Sequence, residues 1–293
     1  MSQIAFLGAI ETGLIFALVA LGIYLSFRVL EFPDLTVDGS FPLGAAVSAV
    51  MIVNGYNPWL ATGLAVVAGA MAGFVTGWLN VRLHILHLLA SILTMIALYS
   101  INLRIMGKPN IALLGENTLL TPLESLDVPY YVTTPIAFFV VVVVCAVLLV
   151  RFLNSETGLA LRATGANPRM ARAQGVHTGR MILGGMALSN ALVALAGSLF
   201  AQSQGSADVT MGVGVIVVGL ASVIGGEAIL SPSTVLKAAL ACIIGAILYR
   251  LAIAFALNLD LLGLKAQDLN LVTSLLVMIA IVLPRYRLRR PAT

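Results

Sequence analysis

The segment Arg151–Arg180, RFLNSETGLALRATGANPRMARAQGVHTGR, is the only long polar interruption between two strongly apolar halves of the chain. It contains five arginines and a single acid, Glu156. Short loops with an excess of Lys and Arg remain on the cytoplasmic side of a membrane. We therefore expect residues 151–180 to form a cytoplasmic loop that joins two membrane-embedded halves.

The overall composition supports a membrane protein. Of 293 residues, 60% are hydrophobic and 10% are charged, and the mean hydropathy is +1.05. A soluble domain carries about 25% charged residues. Apolar runs of about 20 residues, the length of a spanning helix, recur from end to end. The sequence thus predicts an all-α, polytopic integral membrane protein with about 8–10 transmembrane elements in a single domain, residues 1–293.

The long polar segment contains the start and stop signals of a short helix. Asn167 is a good N-cap, Pro168 suits the first helical position, and Gly175 can adopt the left-handed conformation that ends a helix. The pattern predicts a helix of about two turns over Pro168–Gln174. A basic helix of this kind either rests on anionic lipid headgroups or docks onto a cytoplasmic partner, and the pattern alone leaves both open.

Glycine and proline interrupt one stretch in each half of the chain, at 32–45 and at 205–228. Irregular backbone at membrane depth must be buried in protein or line water, although the first stretch also fits an ordinary surface loop. Paired interruptions of this kind often mark a central transport pathway. In the third span, Gly69, Gly73 and Gly77 recur at every fourth position, which predicts close approach of a neighbouring helix.

Four stretches in order along the chain carry a shared pattern: DLTVDGS at 34–40, LASILTM at 89–95, the spaced run from Ser155 to Gly175, and Gly219–Gly226. Together they resemble the permease subunits of ABC importers of the branched-chain amino acid and ribose type. More narrowly, FPDLTVDGSFPLGA at 32–45 resembles the branch often assigned to uptake of amino acids, including aromatic ones. The resemblance implies a type II-like ABC importer permease fold with broken helices.

In such permeases the short helix of the loop seats in a cleft of the ATPase subunit and transmits its closure. The resemblance assigns that coupling role to seven residues, namely Gly165, Asn167, Pro168, Arg169, Ala171, Arg172 and Gly175. It also implies four partners besides the lipid bilayer: two ATPase subunits, a second permease copy as a homodimer or a similar chain, and an extracytoplasmic substrate-binding protein. ATP and Mg would be held by the ATPase subunits, with no cofactor on this chain.

Polar residues within the apolar spans are the candidates for the translocation path. They are Asp34, Thr36, Asp38, Ser40, Ser91, Thr94, Asn190, Gln202 and Arg250. Such a set suits passage of a small polar or zwitterionic solute. Arg250 either contacts the solute or extends its guanidinium to the outer interface. An amino acid as the solute is implied by the resemblance alone.

The sequence lacks the motifs of an enzyme that would energise transport itself. No G-x-x-x-x-G-K-[ST] phosphate loop is present, and His84 and His87 have no third metal ligand nearby. We therefore expect a separate ATPase subunit to supply the free energy. The alternative is an ion-coupled secondary transporter, for which Asp34 and Asp38 are the candidate carboxylates. The basic loops are explained by membrane topology, so the net charge of +4 does not indicate nucleic-acid binding.

The charge pattern also predicts an orientation. With residues 151–180 inside, the five elements that precede them place the N-terminus outside. The basic tail at 285–293 is expected to hold the C-terminus in the cytoplasm. The location expected is the bacterial cytoplasmic (inner) membrane, which the chain crosses several times.

Overall fold

The computed structural model describes residues 3–124 and 130–258 together with Met278. The predicted outer loop at 260–268, the last span at 269–284 and the basic tail at 285–293 lie outside the described residues. Within the described part, eleven α-helices and one two-stranded ribbon follow in this order: α1 (Gln3–Ile23), α2 (Val37–Val53), α3 (Pro58–Leu83), α4 (His87–Met106), β1 (Asn110–Ala112), α5 (Thr121–Glu124), α6 (Tyr130–Leu153), α7 (Glu156–Ala166), α8 (Pro168–Ala173), α9 (Thr178–Gln204), β2 (Ser206–Asp208), α10 (Val215–Ile229) and α11 (Val235–Asn258).

Six of these helices are long and apolar enough to cross a membrane, namely α1 with its extension to Val29, α3, α4, α6, α9 and α11. Two shorter apolar helices, α2 and α10, do not reach that length. The predicted all-α, polytopic class is confirmed. The described residues also include a short antiparallel ribbon, in which β1 pairs with β2 over three residues each.

The ribbon and the polar loop define two opposite ends of the helix bundle. We call the end that carries residues 154–177 the loop end, and the end that carries β1 and β2 the ribbon end. Near the ribbon end, Ser203 donates a hydrogen bond to Glu11 of α1. Toward the loop end, Val29, just beyond α1, lies against Gly165 of α7. Helix α1 therefore runs from near the ribbon end toward the loop end.

Helix α9 is the central element, and glycine lets α3 lie directly against it. A Cβ on Gly73 would collide with the carbonyl oxygen of Met186, and one on Gly77 would stand 3.3 Å from the Cα of Leu183. Only the absence of a side chain permits such approach. The close helix contact that the glycine stripe predicts is thus present, between α3 and α9.

The two interrupted stretches become half-length helices. A π-helical turn, Tyr24–Val29, ends the first span, and Glu31 turns the chain with a φ of 53°. Helix α2 then begins at Val37, within the interrupted stretch, and carries Pro42 inside it. Because a proline in the second turn removes only one backbone hydrogen bond, the helix continues through it. The other half-length helix, α10, follows the ribbon.

Candidate functional site

Both helix boundaries in the polar loop are set by local capping. The Asn167 side chain accepts hydrogen bonds from the amides of Arg169 and Met170, at 3.1 and 3.0 Å. Gly175 has a φ of 86°, in the left-handed region that favours glycine. The predicted cap and stop are therefore present, although the helix ends at Ala173 rather than at Gln174. Helix α7, capped by Ser155, was not predicted and adds 11 helical residues to the six of α8.

The short helix α8 presents a mixed apolar and basic surface at the loop end. Arg169 and Arg172 are exposed, and Met170 between them is 63% exposed. Arg172 also donates from Nε to the carbonyl oxygen of Pro168, at 3.2 Å. Ala171 is buried at 4% exposure, so it fixes the helix to the body of the protein. The arrangement offers an apolar tip flanked by two guanidinium groups.

Helix α7 connects this surface to the first interrupted stretch. Gly165 packs against backbone beyond α1, where a Cβ would collide with the carbonyl oxygen of Val29. One helical turn before Gly165, Leu161 of α7 lies against Gly185 of α9, and Leu30 lies against the same glycine. Such backbone contact leaves little room for sliding. Residues 29–30, which lie four to five residues before Asp34, are therefore in direct contact with α7.

A buried network of polar side chains fixes that stretch to the middle of α9. Asp34 is fully buried and accepts from the Asn190 side-chain amide at 2.7 Å and from the Thr36 backbone amide at 2.9 Å. Asn190 also accepts from the Ser40 hydroxyl at 2.7 Å and donates to the carbonyl of Met186 at 3.1 Å. Four of the predicted path residues are thus brought together and satisfy one another.

Neighbouring residues extend the network to α3 and α4. The hydroxyls of Thr36 and Thr76 are 2.8 Å apart, which ties the break to α3. Ser91 of α4 lies 3.5 Å from the carbonyl of Pro33, and its shorter bond of 2.9 Å goes to the carbonyl of Leu88. Thr76 was not singled out in the sequence, because a lone threonine in an apolar span carries no signal of its partner.

Asp38 joins the starts of the two half-length helices. It lies in the first turn of α2, and its carboxylate accepts from the amides of Gly214 and Ile216, at 3.2 and 2.8 Å. The first amides of a helix have no partner within the helix, and a carboxylate there also complements the helix dipole. One acid thus stabilises the start of α10 from the start of α2.

Three predicted path residues lie apart from both the buried network around Asn190 and the Asp38 junction. Thr94 is buried and bonds to the carbonyl of Ala90 within α4. Gln202, toward the ribbon end, accepts from the amide of Leu119 at 3.0 Å. Arg250 stacks its guanidinium over Phe16, 3.8 Å from the ring centre. Their membership of a path stays a prediction.

Two groups at the loop end were not identified as functional from the sequence. Arg28 forms an ion pair with Glu227 of α10, and the two residues are too far apart in sequence for any pattern to show it. His87 stacks on Phe32 with ring centres 4.3 Å apart, and His84 ends α3 with a left-handed φ of 55°. Among the described residues, no group of three or more His, Cys, Asp or Glu could hold a metal ion.

Comparison with known proteins agrees with this architecture. Residues 5–282 match the family described as branched-chain amino acid transport system / permease component. The chain belongs to this family. The tyrosine transport system permease protein of Clostridioides difficile strain R20291 is 39% identical over 265 residues, which cover 90% of this chain and 86% of that relative. The ribose import permease protein RbsC of Escherichia coli strain K12 is 25% identical over 251 residues, covering 85% and 76%.

Solved structures share the fold of this permease family member at low sequence identity. PsaBC from Streptococcus pneumoniae, in complex with Fab, matches with a TM-score of 0.52 and 15% identity over 95% of this chain and 90% of its own. An ABC transporter assigned to the metal-chelate type, in an inward-facing conformation, matches with a TM-score of 0.52 and 16% identity, covering 97% and 85%. The chain is a permease component of an ABC transporter family and a multi-pass membrane protein.

Proposed function

We propose that this permease component forms the translocation path of a binding-protein-dependent ABC importer for an amino acid, with an aromatic amino acid as the favoured solute. The observation that carries the substrate class is the 39% identity with a tyrosine transport system permease over 90% of the chain. The motif at 32–45, which the sequence links to amino-acid uptake, forms the buried break and the start of α2. Both the sequence identity and the motif favour a small zwitterion as the transported solute.

The free energy comes from ATP bound with Mg on two separate ATPase subunits, which engage the loop end through α8. The exposed Met170 tip suits an apolar cleft, and the flanking Arg169 and Arg172 suit acidic groups on its rim. The alternative of a helix lying on lipid explains the arginines equally well. The backbone of α7 contacts Val29 inside the protein, away from the surface, and this contact favours a role for the loop in transmitting movement of the ATPase subunits.

Closure of the ATPase subunits pulls on α8, and the connected α7 moves residues 29–30. From there the displacement reaches Asp34 and, through the buried network, the start of α2. Because packed cores switch between discrete arrangements, a small shift at the loop becomes a change in which end of the path is open. A second permease copy packs against the exposed face of α4 and so completes the path.

The loop end faces the cytoplasm in this proposal, because its short loop carries the excess of arginine. The ribbon end then faces outward, where an extracytoplasmic binding protein delivers the solute. An ion-coupled transporter is not favoured. The match of residues 5–282 is to a permease component of an ABC transporter family, which favours a separate ATPase as the energy source.

Charge reversal at the coupling surface tests this proposal. We expect Arg172→Glu to abolish ATP-driven uptake of L-tyrosine in proteoliposomes while membrane insertion and thermal unfolding stay unchanged. Arg104→Glu, a reversal of an exposed arginine at the end of α4 near the ribbon, is the matched control and retains uptake. Native mass spectrometry of the complex from its own membrane should give two permease copies with two ATPase subunits. A lone permease that accumulates solute from an ion gradient would overturn the proposal.

A further inference from the structure

A cavity of about 450 Å³ lies beside the junction of the two half-length helices. The start of α2 forms its floor, α4 forms one wall, and the turn between β2 and α10 forms the other. Met95 and Val213 supply apolar surface, and Tyr99 and Ser100 stand at the open side, where Tyr99 is 50% exposed. A volume of this size accommodates a small organic solute.

The polar side chains that line the cavity include one carboxylate and one buried amide, and no cationic side chain is among them. The Asn102 side chain is fully buried and donates to the carbonyl of Gly39 at 3.1 Å, yet its Oδ1 has no hydrogen-bond partner among the described residues. The Asp38 carboxylate, next to Gly39 in the chain, also lines the cavity. A buried acceptor without a donor is costly, and proteins retain few of them. Within the described residues, nothing supplies a donor to this oxygen.

We propose that Asp38 and Asn102 bind the primary ammonium group of an amino-acid solute in this cavity as it passes along the path. The proposal rests on the proposed import function and specifies which chemical group the permease recognises. An ammonium group brings three donors and one positive charge, which match an orphan amide oxygen and a carboxylate. The Met95 and Val213 surfaces lie against the remainder of the solute. No Lys or Arg is among the described residues that line the cavity, so no cationic side chain there competes for the carboxylate.

A bare metal ion fits this cavity less well. Calcium takes six to eight oxygen ligands and magnesium keeps near-octahedral geometry, whereas most of the wall here is carbon. The Asp38 oxygens each keep one bond to the start of α10, which fixes the carboxylate in place without using all its lone pairs. Fixed acceptors of this kind need no reorganisation when a donor arrives.

Charge-selective labelling of the cavity tests the site without requiring transport. The full chain, in its complex and reconstituted in nanodiscs, carries Ser100→Cys with both native cysteines, Cys145 and Cys242, replaced by alanine. It is treated with 2-aminoethyl or 2-sulfonatoethyl methanethiosulfonate. We expect the ammonium reagent to react about tenfold faster than the sulfonate, after normalisation to Leu114→Cys on the exposed loop near the ribbon, a preference equivalent to about 1.4 kcal/mol.

Protection by small amines identifies the recognised group. L-Tyrosine and tyramine should slow the labelling of Ser100→Cys, whereas 3-(4-hydroxyphenyl)propionate, which lacks the amine, should not. Asp38→Asn should remove the preference for the ammonium reagent. Because Asp38 also caps α10, Asn102→Leu serves as a second variant, which should lose protection by tyramine while the cysteine stays reactive.

Equal normalised rates for the two reagents, an unreactive Ser100→Cys, or protection by the amine-free analogue to the same extent would each overturn the proposal. ATP-driven uptake of L-tyrosine, measured on the same complex without labelling, tests the import function separately. Amine protection without uptake would leave the site standing and remove the import function. Uptake without amine protection would leave the import function standing and remove the site.

Discussion

Replacing Asn190 by leucine should destabilise the protein far more than the loss of one polar group in an apolar span suggests. The Asn190 side chain makes three buried hydrogen bonds, to Asp34 at 2.7 Å, to Ser40 at 2.7 Å and to the carbonyl of Met186 at 3.1 Å. Neutral hydrogen bonds between membrane helices contribute about 0.6 kcal/mol each. A bond to a buried carboxylate contributes about 1.5–3 kcal/mol, and its loss leaves that group without a partner.

We therefore expect Asn190→Leu to lower the free energy of unfolding by about 3 kcal/mol. Leucine has the same branching and the same number of side-chain heavy atoms, so the loss reports on hydrogen bonding rather than on a cavity. The measurement is reversible unfolding in mixed micelles with increasing SDS. The matched control is Asn80→Leu, which removes one bond of 2.8 Å to the carbonyl of Ile85 and should cost about 0.6 kcal/mol. A loss below about 1 kcal/mol for Asn190→Leu, or one equal to the control, would refute the network as a stabilising element.

Three further outcomes follow from the contacts described above. Gly73→Ala, whose Cβ would collide with the facing backbone of α9, should cost about 1–3 kcal/mol in the same assay, whereas Gly63→Ala, with open space around its Cβ, should be neutral or slightly stabilising. Asn167→Ala should increase hydrogen exchange at the two amides that it caps, by about 1 kcal/mol of local stability, and should lower coupled uptake. Hydrogen bonds from the side chain and amide of Thr210 hold the pKa of Asp208 below its ordinary value of 3.8. The Asp208 carboxylate therefore stabilises the fold above pH 3.8, and this stabilisation is lost as the pH falls through the lowered pKa. Asp208→Asn should remove this part of the acid dependence of the unfolding midpoint.

Local signals explain which parts of the loop were predictable. The cap at Asn167 and the stop at Gly175 depend on residues within one turn of each other, and both are present. Helix α7 was not predicted because it contains Gly158 and Gly165, which disfavour helix in isolation. In the fold those glycines admit backbone that a side chain would block, as at Val29. The preference of the isolated segment is overridden by contacts with distant residues.

The candidate path residues show a different limit. Their polarity marks them as exceptional within apolar spans, but polarity does not reveal which face of a helix they occupy. Asp34, Ser40 and Asn190 turn toward one another, while Asp38 turns toward α10 and the cavity. Asn102, which we place at the proposed ammonium site, is a further polar residue of α4. Only the packing of α2 against α4 distinguishes it from its neighbours.

The junction at Asp38 explains why the interrupted stretches need an acid there. A helix that begins inside the bundle has amides without intrahelical partners and no water to satisfy them. Helices α2 and α10 both begin in this way, and the Asp38 carboxylate lies in the first turn of one while bonding to the first amides of the other. An amide side chain at this position would keep one acceptor but lose the negative charge that both helix starts favour. Because the same charge faces the cavity, the group that holds the half-length helices together is also the group that a cationic solute would meet.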